Sequence, residues 1–447
     1  MRLALLSLFL GLAGLMAAAD APPEAIVVVV GDQHSAFERT AQFVGRIDRL
    51  QREHPGVPLA VLINGDSLEY GNAVARRTAG AIDFAQFAAL ARRAPTVINL
   101  GNHEPEFHDV AETVRRLEAA GLTVISGNLR NPATGQPYAR ASTHVKLGLH
   151  ELTIVGVTTD KLSTYRVAIR PQLDLADPAV WARENFPALL QTAALPVVLS
   201  HSGLKADRAM FPVIPDGALF AGAHDHLRFV HRVGRTVYFH SGSWMDFLSV
   251  ARLRRSGDRL QWDVEQLPLE AGEPPEPALD RLVRATLARE LTPEETQRVG
   301  RTPRELGPAP AASFATEAAR VAAGADVAVI GATTFGAGLP GGDVSRFAFD
   351  ACVRFDGTLW TADVDGAWLA ALLRRANQGP ATPFAERAGE NLVAAFGGEP
   401  TPGRTYRLVT TDWVAKNART YLGDTPPVLT ERPELKLKAA VIAALNR

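Results

Sequence analysis

Ile63-Asn64-Gly65-Asp66-Ser67 closes an apolar run that begins at Leu59, and the same event recurs along the chain. Val27 to Val30 ends in Gly31-Asp32-Gln33-His34, and Thr96 to Leu100 ends in Gly101-Asn102-His103-Glu104. Val197 to Leu199 ends in Ser200-His201-Ser202-Gly203, and Ala218 to Ala221 ends in Gly222-Ala223-His224-Asp225-His226. Short apolar runs closed by glycine and polar residues read as buried strands, and runs without alternation suit parallel sheets covered on both faces. In open α/β sheets, ligands bind beyond the carboxyl ends of the strands. The runs are therefore expected to present Asp32, His34, Asp66, Asn102, His201, His224 and His226 along one edge of one sheet.

These donors are carboxylate, amide oxygen and imidazole, with no thiolate. Such a set suits divalent ions of intermediate hardness: Mn, Zn, Fe or Ni. It holds more donors than one ion needs, whereas two divalent metal ions sharing a carboxylate use them all. Two ions about 3.5–4 Å apart activate water and stabilise an in-line displacement at phosphorus.

Taken in order, Asp32-Gln33-His34, Gly65-Asp66, Gly101-Asn102-His103-Glu104, His201 and Gly222-Ala223-His224-Asp225-His226 resemble the motif blocks of the calcineurin-like metallophosphoesterases. The resemblance implies an α/β protein built as a four-layer α/β/β/α sandwich. It also implies ligand sets. One ion would take Asp32, His34, Asp66 and His226, and the other Asp66, Asn102, His201 and His224, with Asp66 bridging. His103 would stand beside the ions without ligating them. It would protonate the leaving oxygen or stabilise the transition state while hydroxide activated by the ions attacks phosphorus. Glu106 would orient His103, at a position where close relatives usually carry Asp. Asn102 would also touch the substrate.

The chain of 447 residues is long enough for two or three domains. Its net charge of −1 is spread along the sequence, which offers no surface for nucleic acid. Cys352 is the one cysteine, which excludes an intramolecular disulfide and a thiolate metal site. Residues 1–19 have the form of a signal peptide: Arg2, an apolar stretch from Leu3 to Met16, then Ala17-Ala18-Ala19. The apolar stretch is short for a membrane span and no second one follows. A periplasmic or secreted monomer without stable membrane insertion is expected.

Residues 25–265 are expected to form the metallophosphoesterase domain, with helices over Phe37–Arg52, Phe84–Arg93, Val110–Ala120 and Trp181–Ala193 and a closing hairpin over Arg252–Leu267. A connecting segment, 266–307, begins with the Pro- and Glu-rich stretch Glu270–Pro277, which reads as a linker. Further on, Thr292-Pro293-Glu294-Glu295 reads as a capping box.

Residues 308–447 resemble the C-terminal substrate domain of the 5′-nucleotidase family. Ala325-Asp326-Val327-Ala328 opens a strand, a glycine-rich loop runs from Gly336 to Gly342, Asp365-Gly366 precedes a helix, and a strand follows from Tyr406. Two departures stand out. Nucleotidases follow the first strand with Asn-Gly-Gly and an Arg that grips the substrate phosphate, whereas this chain has Gly331-Ala332-Thr333-Thr334-Phe335, with Phe335 at the Arg position. The family's Gly-Gly-Asp-Gly-Tyr, whose Asp contacts ribose, is here Asn417-Ala418-Arg419-Thr420-Tyr421, with Arg419 at the Asp position. Arg354 or Arg419 would then supply the anion contact, and Tyr421, Trp413 or Phe355 would stack on a base. The resulting expectation is a secreted dinuclear-metal phosphoester hydrolase of 5′-nucleotidase type acting on a small phosphorylated substrate such as a nucleotide. The alternatives are a manganese-dependent thiosulfohydrolase of the same architecture and a periplasmic metal- or ligand-binding protein without chemistry. The intact His103 argues against the last.

Overall fold

Successive strand side chains point to opposite faces, and here both faces are apolar. Val27, Val29, Ala60, Leu62 and Val97 turn one way, while Ile26, Val28, Val30, Val61, Ile63 and Ile98 turn the other. The computed structural model describes residues 22–447, so the expected signal peptide lies outside the described residues.

The first sheet orders its strands as Arg259–Pro268, Phe247–Ser256, Ala25–Val30, Leu59–Asn64, Thr96–Asn99 and Thr123–Ile125. The last four run parallel. The second sheet orders Arg228–Val233, Thr236–Ser241, Leu219–Gly222, Leu195–His201, His150–Thr158 and Ser142–Leu147, with its inner four parallel. Between the sheets, Val27, Val29, Leu62 and Val97 meet Ile154, Val197, Leu199, Leu219 and Phe239. Phe43, Val44, Ile47, Phe87 and Leu117 from helices cover the outer face of the first sheet. Trp181, Phe186, Leu204 and Met210 cover that of the second. The result is the expected α/β/β/α sandwich.

One expectation is corrected. The donor-bearing runs do not share a sheet: Ala25–Val30, Leu59–Asn64 and Thr96–Asn99 lie in the first, Leu195–His201 and Leu219–Gly222 in the second. A run that is apolar on both faces carries no mark of which covered sheet it enters. Two buried amides tie the sheets together at their carboxyl ends. Asn64 Nδ2 donates to the carbonyls of Ser200 and Ala221, each at 3.0 Å, and Asn99 Nδ2 donates to Asn64 Oδ1 at 3.1 Å and to the Val157 carbonyl at 2.9 Å.

The Pro- and Glu-rich stretch read as a linker is fastened down. Arg46 and Arg49 of the helix Phe37–Glu53 pair with Glu273, and the Glu276 amide donates to the Ala41 carbonyl at 2.8 Å. The capping box forms as expected, with Glu295 also taking Arg77 at 2.7 Å. The C-terminal sheet orders Leu392–Phe396, Val327–Gly331, Thr405–Thr411, Thr358–Asp365 and Thr430–Lys436. Asp365 caps the helix Gly366–Leu373. Phe384, in a loop of this second unit, sits against Phe211, Phe229, His231 and Tyr238 of the sandwich. Among the described residues no helix is long and apolar enough to cross a membrane.

Candidate metal centre

The turns that leave the strands are forced into tight shapes. Among the described residues, Asp32, His34, Asp66, His224 and His226 all have left-handed backbone, with φ between 50° and 82°. Side-chain-bearing residues adopt that region at a cost, and such strain gathers at functional sites. Gly65 makes the close approach possible: a Cβ there would lie 2.5 Å from His201 Nδ1 and 2.8 Å from Gly101 Cα.

These turns bring the predicted donors together from both sheets. One oxygen or nitrogen from each of Asp32, His34 and His226 lies within 4.8 Å of the others, and the same holds for Asp66, His201 and His224. His34 Nε2 and His226 Nε2 face each other at 3.0 Å. His201 Nε2 lies 3.1 Å from Asp66 Oδ2, while its Nδ1 contacts the Asn64 carbonyl at 2.7 Å, which fixes the ring with Nε2 toward the centre. Asn102 Oδ1, His201 Nε2 and His224 Nδ1 are buried without a hydrogen-bond partner.

The electrostatics divide the donors. Burial keeps three of the imidazoles neutral: His34 is pushed down to about 4, His224 to about 3, and His226 falls well below its usual value. Burial pushes Asp32 up to about 8. Asp66 goes the other way, because His201 and His103 outweigh burial and hold its carboxyl well below the usual range. Burial disfavours the His201 cation, yet Asp66 outweighs it and raises the group to about 10. A divalent cation favours ionised carboxylates and neutral imidazoles, the forms in which these groups ligate. Orphaned buried donors, facing ring nitrogens and a thiolate-free donor set fit divalent metal.

His103 stands at the rim, with 17 % of its side chain exposed. Its amide donates to Asp66 Oδ1 at 2.8 Å, its Nε2 lies 3.8 Å from Asp66 Oδ2, and its Nδ1 lies 3.0 Å from Glu106 Oε1. Burial disfavours its charge, but Glu106 and then Asp66 raise it to about 10. Glu106 is itself held by the Tyr70 amide.

Two further carboxylates escaped the sequence reading. Glu104 accepts from the amides of Asp66 at 3.0 Å, Ser67 at 2.8 Å and Gly101 at 2.6 Å, binding two strand-end turns together. Its place in Gly-Asn-His-Glu was the available signal. Glu69 Oε2 lies 3.2 Å from His34 Nδ1, off the line of an aligned hydrogen bond. No motif pointed to it.

The second unit's residues divide. Arg354 reaches the centre and pairs with Glu69. Arg419 lies exposed on the short helix Ala418–Leu422. Phe335 is packed in the core of its own unit with Ile330, Val344 and Phe349. Tyr421 is also a core residue, 8 % exposed, and its hydroxyl accepts from Trp413 Nε1 at 3.1 Å. That packing corrects its reading as a stacking platform. Phe355, 57 % exposed, and Trp413, 47 % exposed, are the rings left open.

A two-sheet sandwich that pools carboxylates, an amide oxygen and imidazoles at facing strand ends defines a metallophosphoesterase. Residues 26–228 match the calcineurin-like phosphoesterase family, and residues 285–423 match the 5′-nucleotidase C-terminal domain. The two matches set a calcineurin-like phosphoesterase domain ahead of a 5′-nucleotidase C-terminal domain, which supports a phosphoester hydrolase.

Solved structures agree on the fold. The sulfate thiohydrolase SoxB of Thermus thermophilus is similar with a TM-score of 0.64 at 16% identity, covering 96% of each chain. A 5′-nucleotidase precursor, also from Thermus thermophilus, gives 0.59 at 16% identity over 94% of this chain and 96% of its own. The 5′-nucleotidase of Candida albicans gives 0.61 at 10% identity over 96% and 99%. No curated protein matches the sequence.

Proposed function

We propose that the chain is a secreted hydrolase of small phosphoesters that works with two divalent ions and is built like a 5′-nucleotidase. Asp32, His34, Asp66 and His226 would hold one ion, and Asp66, Asn102, His201 and His224 the other. The observation that carries the reading is the position of His103: its Nδ1 lies 3.0 Å from Glu106 Oε1 and its Nε2 lies 3.8 Å from Asp66 Oδ2, beside the donors and within reach of His34 and Asp66. When bound, the ions supply Lewis acidity toward phosphoryl oxygens and lower the pKa of a water. The chain's own residues do the rest. Glu106 orients His103 and sustains its charge, so that Nε2 can hold a proton for the leaving oxygen or for the developing charge of the transition state. Secretion rests on the pattern of residues 1–19.

A nucleotide would lie toward the second unit, where Phe355 and Trp413 expose their rings. One observation favours a second reading. Phe335, which the resemblance sets at the position of a phosphate-gripping Arg, is buried in the core of its unit, and a carrier-bound thiosulfonate, hydrolysed to release sulfate, would not call for that Arg.

The test is hydrolysis by the mature protein with Mn²⁺ of an aryl phosphate, an aryl phosphodiester, AMP, UDP-glucose and a 2′,3′-cyclic nucleotide, beside a cysteine S-thiosulfonate. Turnover of AMP or UDP-glucose supports the nucleotidase reading. Turnover of the thiosulfonate alone replaces it with the second. No turnover of any substrate with both ions bound contradicts an enzyme.

A further inference from the structure

Outside the donor sets, one chain of contacts joins the second unit to the centre. Arg354 follows the helix Arg346–Cys352 of that unit. Its Nη1 donates to the Thr333 carbonyl at 3.2 Å, and its Nη2 donates to Glu69 Oε2. Both side chains are 8 % exposed, so this ion pair is withdrawn from water. Glu69 is fixed on its other side: Oε1 accepts from the Gly71 amide at 2.8 Å, and the Glu69 amide donates to Ser35 Oγ at 3.1 Å. Glu69 Oε2, the oxygen that meets Arg354, also lies 3.2 Å from His34 Nδ1. The Trp244 ring stacks on His34 at 5.2 Å and 25°, and the Arg354 guanidinium stands 5.5 Å from the same indole. The imidazole is thus held at its edge and on its face by groups that both touch Arg354.

We infer that Arg354 and Glu69 form an interdomain brace that positions His34, so that the second unit's seating on the sandwich sets the affinity of the ion held by Asp32, His34 and His226. The inference rests on the two-ion reading above. A ring that ligates through one nitrogen is oriented by what meets the other, and removing such a partner costs roughly 10–100-fold in metal affinity. Removing Arg354 leaves the buried Glu69 carboxylate without its cation, so Glu69 shifts and His34 loses its orientation. The ion at Asp66, Asn102, His201 and His224 shares Asp66 with the first, but none of those four side chains meets Glu69 or Arg354, and the other ring near Glu69 Oε2 is His103, with its Nδ1 at 3.9 Å. Glu69 and Arg354 are positioning residues here, because both act through His34. The seating itself has a second anchor away from the ions: Phe384 stacks on His231 at 4.1 Å, and Arg208 donates to the Phe384 carbonyl.

The test is calorimetric titration of the metal-stripped full chain with Mn²⁺, with His226→Ala identifying which step belongs to the His34 position. Glu69→Gln, Arg354→Gln and Phe384→Ala are each expected to weaken that step roughly 10- to 100-fold while leaving the other step within about twofold. Arg354→Lys should recover part of the loss, since it keeps a cation opposite Glu69. Should Glu69→Gln fail to fold, Arg354→Lys and Phe384→Ala carry the test. Both steps unchanged in Arg354→Gln and Phe384→Ala would overturn the brace, as would equal weakening of both steps. A wild-type chain that binds no ion overturns the metal reading itself, a result distinct from either.

Discussion

His103 shows how a single side chain acquires a role from its surroundings. Near Glu106 and Asp66 it is poised as a cation, where burial alone would leave it neutral. Replacing it with Ala should lower kcat about 10²–10⁴-fold, with metal content unchanged by elemental analysis. Loss of metal in that variant would make His103 a ligand instead. Asp83 is a second case, apart from the chemistry. It is 2 % exposed, one carboxyl oxygen has no partner, and burial raises it to about 8 despite the Ser35 hydroxyl. A carboxyl with a raised folded pKa holds its proton in the folded state, so its stability is complete at low pH and declines as pH rises from about 4 toward 8. Asp83→Asn should therefore raise Tm relative to wild type at about pH 8, by about 2–4 °C, and the gain should shrink by about pH 5. A gain independent of pH would contradict this. At this scale the candidate metal donors could be picked out because carboxylates and imidazoles recur at strand ends, and the fold gathers Asp32, His34 and His226 as one cluster and Asp66, His201 and His224 as another. Glu69 was not, because a carboxylate that pairs with a distant cation carries no motif, and Glu104 stood inside Gly101-Asn102-His103-Glu104 without any sign that it serves backbone amides.

Among elements, the telling feature is the knot between the sheets. Strand runs could be read from their apolar length, and the helix Phe37–Glu53 from its spacing, to within a residue. Which strand joined which sheet could not, since a doubly buried strand looks alike in either. The answer lies in Asn64 and Asn99, buried amides that bridge the sheets, while the Asn64 main-chain carbonyl meets His201 Nδ1. Asn64→Ala would leave the Ser200 and Ala221 carbonyls unpaired and should cost about 1–3 kcal/mol, measured by chemical denaturation. An unaffected stability would mean that water replaces the amide. Gly65→Ala should be worse for the centre, because the new methyl group meets His201.

Across the whole molecule, the order of parts was legible and their seating was not. Family resemblance identified both units, yet Arg354 against Glu69 and Phe384 against His231 are contacts between positions far apart in sequence. The segment read as a linker proved to be fastened by Glu273 to the first helix, because its acidic residue had partners the sequence does not reveal. Loosening the Phe384 anchor by Phe384→Ala should speed proteolytic cleavage between the two units without lowering the melting point of the sandwich. Cleavage at the wild-type rate would show that the other contacts suffice.

Two ions sharing Asp66 is the arrangement proposed for this centre. The most direct measurement is the metal stoichiometry of the stripped full chain titrated with Mn²⁺, beside Asp66→Asn. The account predicts two ions per wild-type chain, with both weakened together when the bridging carboxylate is lost. One ion per chain, or an Asp66→Asn variant that keeps both at wild-type affinity, would contradict it.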